Sequence, residues 1–173
     1  MSYINFQNLP TTTTPLSAAN LNAIQNIGAI QIYLASDTDV SSDTTQYAKV
    51  PLDTQYDISG TQLSFDSTNK AIVVGAGVSK VEVTGFITMD TTNKVTPPNY
   101  GIAVRINGSG SNQLYSANTI IEGSYVKIFV KGILSVSQND KLTLHSRHVT
   151  VQNETMPTRG GAGYTSLMAR VIY

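Results

Sequence analysis

From Ala29 onward, apolar and polar residues alternate with a period of two, and many of the apolar positions carry β-branched side chains. Because successive side chains of a strand point to opposite faces, this pattern predicts half-buried β-strands bounded by turn-forming residues. Residues 80–89 show it best, with Val81, Val83 and Ile87 on one face and Glu82 on the other. The predicted strands are 29–34, 47–52, 63–65, 71–74, 80–89, 101–106, 112–116, 126–136, 141–147 and 165–173.

The first 28 residues follow a different pattern. Thr14 is a suitable capping residue and Pro15 a suitable first helical residue. Ala18, Leu21, Ile24 and Ile27 then recur every third position as a narrow apolar stripe, and Gly28 is a typical helix stop. We therefore predict two segments, a short helical attachment segment over 1–28 and an all-β sandwich or barrel over 29–173.

Two predicted strands carry apolar residues on both faces. In 126–136, Phe129 and Ile133 lie opposite the main apolar row, and in 165–173, Met168 and Ile172 do the same. A single sandwich covers only one face of each sheet, so the second face needs another cover. We predict self-association through these four residues. The alternative is that loops or the N-terminal helix cover them.

Four stretches resemble, in order and spacing, the jelly-roll family of tumour necrosis factor and the complement globular head. They are 71–86, with an apolar strand and a Gly-rich turn, 102–108, ending in Asn-Gly, 132–144, and 166–172. Asn139 stands where the family usually has Gly, a mild departure because both residues accept left-handed backbone geometry. The resemblance implies an all-β, tumour-necrosis-factor-like jelly-roll and a homotrimer.

Residues 9–25, which run from Leu9 through a Thr-rich stretch and Pro15 into Asn-Leu-Asn, resemble a segment near the start of structural proteins from phages of Gram-positive bacteria. Ser17 replaces the more usual Asn. This resemblance implies a bacteriophage virion protein, made in the bacterial host cytoplasm, whose N-terminal segment binds other virion proteins.

Composition narrows the classes of partner. Eleven basic and eleven acidic residues cancel, so no long-range positive field attracts nucleic acid or an anionic membrane. No apolar run approaches the roughly 20 residues that span a bilayer. The chain has no cysteine, which leaves no disulfide or thiolate metal site. We expect neither nucleic-acid binding nor membrane insertion.

No pattern of catalytic residues is visible, so we predict no enzyme, cofactor or metal site. His145 and His148 have odd spacing, which places them on opposite faces of a strand and predicts ordinary surface or interface histidines. Three copies of either around a threefold axis could hold a metal or an anion, and that alternative stays open. Asp37, Asp39 and Asp43 lack the EF-hand pattern and indicate a solvated loop.

Residues 159–163, Arg-Gly-Gly-Ala-Gly, lack the Lys-Ser/Thr ending of a phosphate-binding loop and precede a strand, so they predict a turn. The loops of a jelly-roll are the natural place for a receptor contact. Four tyrosines are predicted in or beside such loops and are candidates for host-glycan contact, namely Tyr100, Tyr115, Tyr125 and Tyr164.

Together these patterns indicate a non-enzymatic trimeric fibre, baseplate or head protein that binds the host cell surface or decorates the particle. The alternative is a trimeric, lectin-like adhesion protein of a bacterial or spore surface.

Overall fold

The computed structural model of the chain describes residues 28–41, 47–92, 99–111, 113–116, 119–149 and 155–172. The strands in this part are β1 (Ala29–Tyr33), β2 (Thr38–Ser41), β3 (Ala48–Lys49), β4 (Thr54–Ser59), β5 (Leu63–Asp66), β6 (Ala71–Val74), β7 (Lys80–Asp90), β8 (Asn99–Ile106), β9 (Gln113–Ser116), β10 (Thr119–Glu122), β11 (Tyr125–Ser135), β12 (Lys141–Val149), β13 (Thr155–Thr158) and β14 (Ser166–Val171). Among the described residues, no helix is long and apolar enough to cross a membrane. The helix predicted within 1–28 lies outside them, so the boundary between the two predicted segments stays a prediction.

The strands form two antiparallel sheets packed face to face. Sheet A has the order β10-β11-β7-β14-β1-β4, and β13 joins it by pairing with β7 and β2. Sheet B has the order β5-β6-β12-β8-β9, with β3 beside β12. Strands distant in the sequence are neighbours in space, since β1 pairs with β14. The predicted all-β sandwich is confirmed.

The hydrophobic core lies between the sheets and uses the inward positions of both. On β7, Val83 and Ile87 are fully buried while the outward Glu82 is half-buried. Gly85 occupies an inward position between them, and a Cβ atom there would lie 2.7 Å from Cδ1 of Leu144 on β12. The missing side chain lets Leu144 of sheet B approach the backbone of sheet A closely.

Ten of the fourteen strands were predicted, and the bounds of β6 agree with the prediction to the residue. The range 47–52 contains only the two-residue β3. Four strands were missed, namely β2, β4, β10 and β13. Asp39, predicted with Asp37 and Asp43 in a solvated loop, is exposed but lies in β2, where it pairs with Pro157 of β13. Asp43 lies outside the described residues.

Left-handed residues close the turns, as the sequence predicted. Asn107 and Gly108 have φ values of 53° and 71°, and Asn139 has 70°. The Asn107 side chain also connects two turns, because its Nδ2 donates to Asp140 Oδ1 at 2.7 Å and its Oδ1 accepts the backbone N–H of Lys141 at 2.9 Å. The turns at one end of sheet B are therefore fixed to each other.

Candidate functional site

The outward surface of sheet A, which we call face A, brings together the residues predicted for self-association. Phe129 and Ile133 of β11 point outward, in register with Phe86 and Glu82 of β7. Met168 of β14 lies on the same surface, in register with Thr84 and Gln31. Ile172 continues the outward row of β14 and is half-buried. All four predicted residues thus share one face, although their role in an interface stays a prediction.

Face A exposes several large apolar side chains. Phe129 is 41% exposed and Ile133 is 60% exposed. Two more exposed large apolar side chains lie on this face, namely Ile120 of β10, in register with Lys127, and Tyr56 of β4. Ile58 and Ile121 of the same sheet are also exposed, but they lie in register with the core residues Ile30 and Val126 and so face its inner side.

Face A is also uneven. A depression of about 330 Å³ lies on its β14-β1-β4 side, with Tyr56, Gln31 and Met168 among its lining residues. The Tyr56 ring meets the Tyr33 ring edge to face, with centroids 6.2 Å apart. The β11 side, in contrast, presents the protruding side chains of Phe129 and Ile133. One side of the face is hollow and the other is raised.

A small ion-pair network crosses face A. Glu82 Oε2 lies 2.9 Å from Nη2 of Arg170, and Glu82 Oε1 lies 3.3 Å from Nζ of Lys131. Because the two cations are well exposed, these pairs contribute little to the stability of a monomer. They do place a cluster of charged side chains beside the apolar side chains of Ile133 and Met168.

The outward surface of sheet B, which we call face B, is covered by the chain itself. A Cβ atom at Gly101 would lie 2.6 Å from the Tyr47 hydroxyl, so the Tyr47 ring packs on the β8 backbone there. The Arg105 guanidinium lies 5.2 Å from the centre of the same ring. Ala103, between these two residues on β8, is fully buried. A side chain from the β3 region therefore covers the middle of sheet B.

His145 lies under this cover and is only 6% exposed. The prediction of an ordinary surface or interface histidine is therefore wrong for His145, because β3 pairs beside it and shields it from water. Its Nε2 lies 2.9 Å from Oγ1 of Thr143. Burial, aided by the positive charges of Arg105 and Lys49, lowers the pKa of His145 to about 4. The side chain of His148 lies outside the described residues.

The four candidate receptor tyrosines do not form one patch. Tyr100 is buried in the core and is not available to a ligand. Tyr115 is 70% exposed but lies on β9 of sheet B. Tyr125 and Tyr164, in contrast, meet around Arg159, whose guanidinium carbon lies 4.7 Å and 4.4 Å from their ring centres. We call this cluster of three residues the Arg159 clamp.

Arg159 was not predicted as a functional residue, because the sequence around it indicated only a turn. The turn is confirmed, with Gly161 at a φ of 107° and β14 following. Asp37 lies in an exposed loop, as expected, and its carboxylate accepts a hydrogen bond from the Gly160 N–H at 2.8 Å. No sequence signal links Arg159 to Tyr125, so only the fold reveals the clamp.

Comparisons with known proteins support the fold. No protein-family model and no curated protein sequence matches the chain. The structure of murine APRIL at pH 5.0 matches with a TM-score of 0.58 and 11% identity, over 84% of this chain and 99% of that one. The structure of PRD1 vertex protein P5 matches with a TM-score of 0.52 and 16% identity, over 85% and 98%. This chain is a tumour-necrosis-factor-like jelly-roll. Identities this low establish the fold alone.

The jelly-roll accounts for the stretches that carried the sequence resemblance. Residues 71–86 contain β6 and the first half of β7, 102–108 end β8, and 132–144 join β11 to β12. Within the described residues of the jelly-roll, no group of three or more acidic or histidine side chains could hold a metal ion. Face A and the Arg159 clamp are its candidate contact surfaces, because both include exposed side chains, whereas the middle of face B is covered by Tyr47.

Proposed function

We propose that this chain is a non-enzymatic virion structural protein whose trimeric jelly-roll head binds the host surface or decorates the particle. The observation that carries the proposal is face A. Phe129, Ile133, Ile120 and Tyr56 are exposed on this one face, and exposed large apolar side chains that share a surface commonly mark protein interfaces. Phe129, Ile133, Met168 and Ile172 would lie in the subunit interface.

A cyclic trimer requires two different surfaces on each subunit, because its interfaces are heterologous. Face A offers such a pair, with Phe129 and Ile133 raised on one side and the depression beside Tyr56 on the other. In a cyclic trimer, Phe129 and Ile133 of each subunit could pack into the depression beside Tyr56 of the next subunit, and both surfaces would then be covered. His145 lies on sheet B, so its copies would not meet at an axis formed by face A.

The assignment to a virion has two supports. The N-terminal segment resembles attachment segments of phage structural proteins, and one protein of similar fold is a vertex protein by its title. Gly28, which joins the segment to the jelly-roll, accepts a hydrogen bond from the Val171 N–H at 2.8 Å, so the segment reaches the head at the end of β14. Other virion proteins would bind this segment.

The solution mass of the full chain, measured by light scattering, tests the trimer. We expect about 56 kDa, three times the 18.6 kDa of one chain. A solution mass equal to one chain at micromolar concentration would contradict the trimer, and with it the proposed avidity for repeated host glycans. Immunogold electron microscopy of particles from the source of the chain tests the virion assignment, and unlabelled particles would contradict it.

A further inference from the structure

The backbone of the turn that carries Arg159 is rigidly held. The Arg159 N–H donates to the carbonyl of Thr88 at 2.8 Å, and the Gly161 N–H donates to the carbonyl of Leu34 at 2.6 Å. A Cβ atom at position 160 would lie 2.5 Å from backbone carbon of Ser36, so only glycine fits there. The turn is thus fixed to β7 and to the end of β1.

The Arg159 side chain is oriented as well. The rings of Tyr125 and Tyr164 lie against its guanidinium. The backbone of Tyr164 is held in turn, because its carbonyl accepts a hydrogen bond from Thr88 Oγ1 at 2.7 Å. Within the described residues, the guanidinium forms no ion pair. The pKa of Asp90 is lowered, chiefly by hydrogen bonds from Thr92 and also by the positive charge of Arg159. A half-buried cation is therefore oriented without a paired carboxylate in the described part of the chain.

An oriented guanidinium that has no ion-pair partner among the described residues is suited to bind an oxyanion. Its planar fork of N–H donors matches the two oxygens of a carboxylate or phosphate, and stacked rings reduce the entropy lost on binding. Tyr164 remains 39% exposed beside it, and an exposed aromatic ring provides apolar contact area and a hydroxyl for a sugar. An acidic sugar meets both requirements.

The clamp also lies at the appropriate end of the molecule. The N-terminal segment enters beside Val171, which pairs with Val81 near the start of β7. Tyr125 pairs with Asp90 at the other end of that strand. The eleven residues of β7 span about 33 Å at the usual strand rise. A head attached through its N-terminal segment therefore presents the clamp on the far side.

We propose that the Arg159 clamp binds the carboxylate or phosphate groups of an acidic surface polysaccharide. The inference rests on the proposed surface-binding function and names its ligand class. A neutral glycan would not use the guanidinium. A carboxylate of a neighbouring subunit is the competing occupant, and it would make Arg159 an interface residue.

Binding of the full chain to three immobilised polymers tests the proposal. The probes are polyglucuronic acid, poly(glycerol phosphate) and neutral dextran, measured by biolayer interferometry. We expect binding to at least one acidic polymer and none to dextran, and the preferred polymer distinguishes carboxylate from phosphate. Arg159→Gln should weaken binding at least about tenfold, the loss typical of one charge-assisted bidentate contact. Arg159→Lys should weaken it by a similar factor, because lysine keeps the charge and loses the fork.

Arg105→Gln is the matched control, because Arg105 also stacks on a tyrosine, but on face B. It should change binding by less than about twofold, within the usual range for a remote surface site. Equal losses in both variants, full binding by Arg159→Lys, or no binding of either acidic polymer by the unaltered chain would each overturn the proposal. Loss of the trimer in Arg159→Gln, seen by light scattering, would assign Arg159 to the interface instead. None of the binding results alters the mass of the unaltered chain, so the trimer is tested separately.

Discussion

The two outward faces of the jelly-roll differ in how they are covered. Face B is covered by its own chain, with the Tyr47 ring packed on Gly101 and Arg105 stacked against that ring. Face A lacks such a cover in the described part of the chain and leaves Phe129 and Ile133 in water. Both belong to sheets that share one core, so the core does not account for the difference.

The contrast arises from the residues at outward positions. Face B has Gly and Ala on the interior strand β8, which leave room for a ring from the same chain. Face A has Phe, Ile and Met among the outward positions of β7, β11 and β14, beside polar residues such as Glu82 and Lys131, and Phe129 and Ile133 project from it. Small outward residues thus accompany an internal cover, and large apolar ones indicate an external partner.

The largest effect is expected from placing charge on face A. The double variant Phe129→Glu, Ile133→Glu should reduce the mass in light scattering from three chains to one. Each unpaired carboxylate buried in a subunit interface costs on the order of 3–5 kcal/mol. The control is Tyr115→Glu, an equally drastic change at an exposed position of sheet B, and it should leave three chains. A trimer that survives the double change would show that face A is not the interface.

A smaller effect is expected from uncovering face B. Tyr47→Ala removes the ring that packs on Gly101 and Arg105 and should lower the free energy of unfolding by about 3 kcal/mol, as for other aromatic truncations. The measurement is urea denaturation followed by circular dichroism, at a fixed protein concentration. The mass should stay at three chains. Dissociation of Tyr47→Ala would mean that face B also takes part in assembly.

The smallest effect concerns His145 beneath the face B cover. Its pKa of about 4 in the folded chain lies below the 6.5 of an unshielded histidine. Between these values the unfolded chain binds a proton that the folded chain does not, so stability falls as the pH falls. We expect a loss of about 2 kcal/mol between pH 7 and pH 5.

His145→Gln should largely remove this pH dependence in urea titrations. His148→Gln, which changes the only other histidine, should retain it. The pKa of Asp66 is also lowered, from its ordinary 3.8 to about 2, but it affects stability only at a more acidic pH than this titration covers. An unaltered chain with flat stability from pH 7 to pH 5 would contradict the burial of His145.

The long strands could be predicted because their alternation extends over many residues. β7, β11 and β14 each carry a long, mostly apolar inward row, and the second apolar residues of β11 and β14 predicted an outward apolar surface. β2, β4 and β10 were missed because each pairs with a single neighbour and, among their described side chains, only Val40 is buried, so that little burial marks their sequences. β13 contains Pro157, which lacks the N–H of a typical strand residue.

The candidate sites show the same limit. Residues of face A share strands with regular alternation, so the sequence placed them together. The Arg159 clamp joins residues from two distant parts of the chain, and the burial of His145 depends on β3, which is only two residues long. Tyr100 was misjudged because its position near Pro97 and Pro98 suggested a loop, whereas β8 already begins at Asn99. Such contacts depend on pairing that local patterns do not encode.

The pairing of β1 with β14 has a consequence for biogenesis. Gln31 and Ser166, joined by a side-chain hydrogen bond, are 135 residues apart in the sequence. While the chain is being synthesised, β1 and β4 can pair with each other but cannot join the rest of sheet A until β14 emerges from the ribosome. Met168 and Arg170 of face A arrive on that same late strand. If face A is the subunit interface, a nascent chain therefore lacks the finished surface, and association between chains on neighbouring ribosomes would be limited.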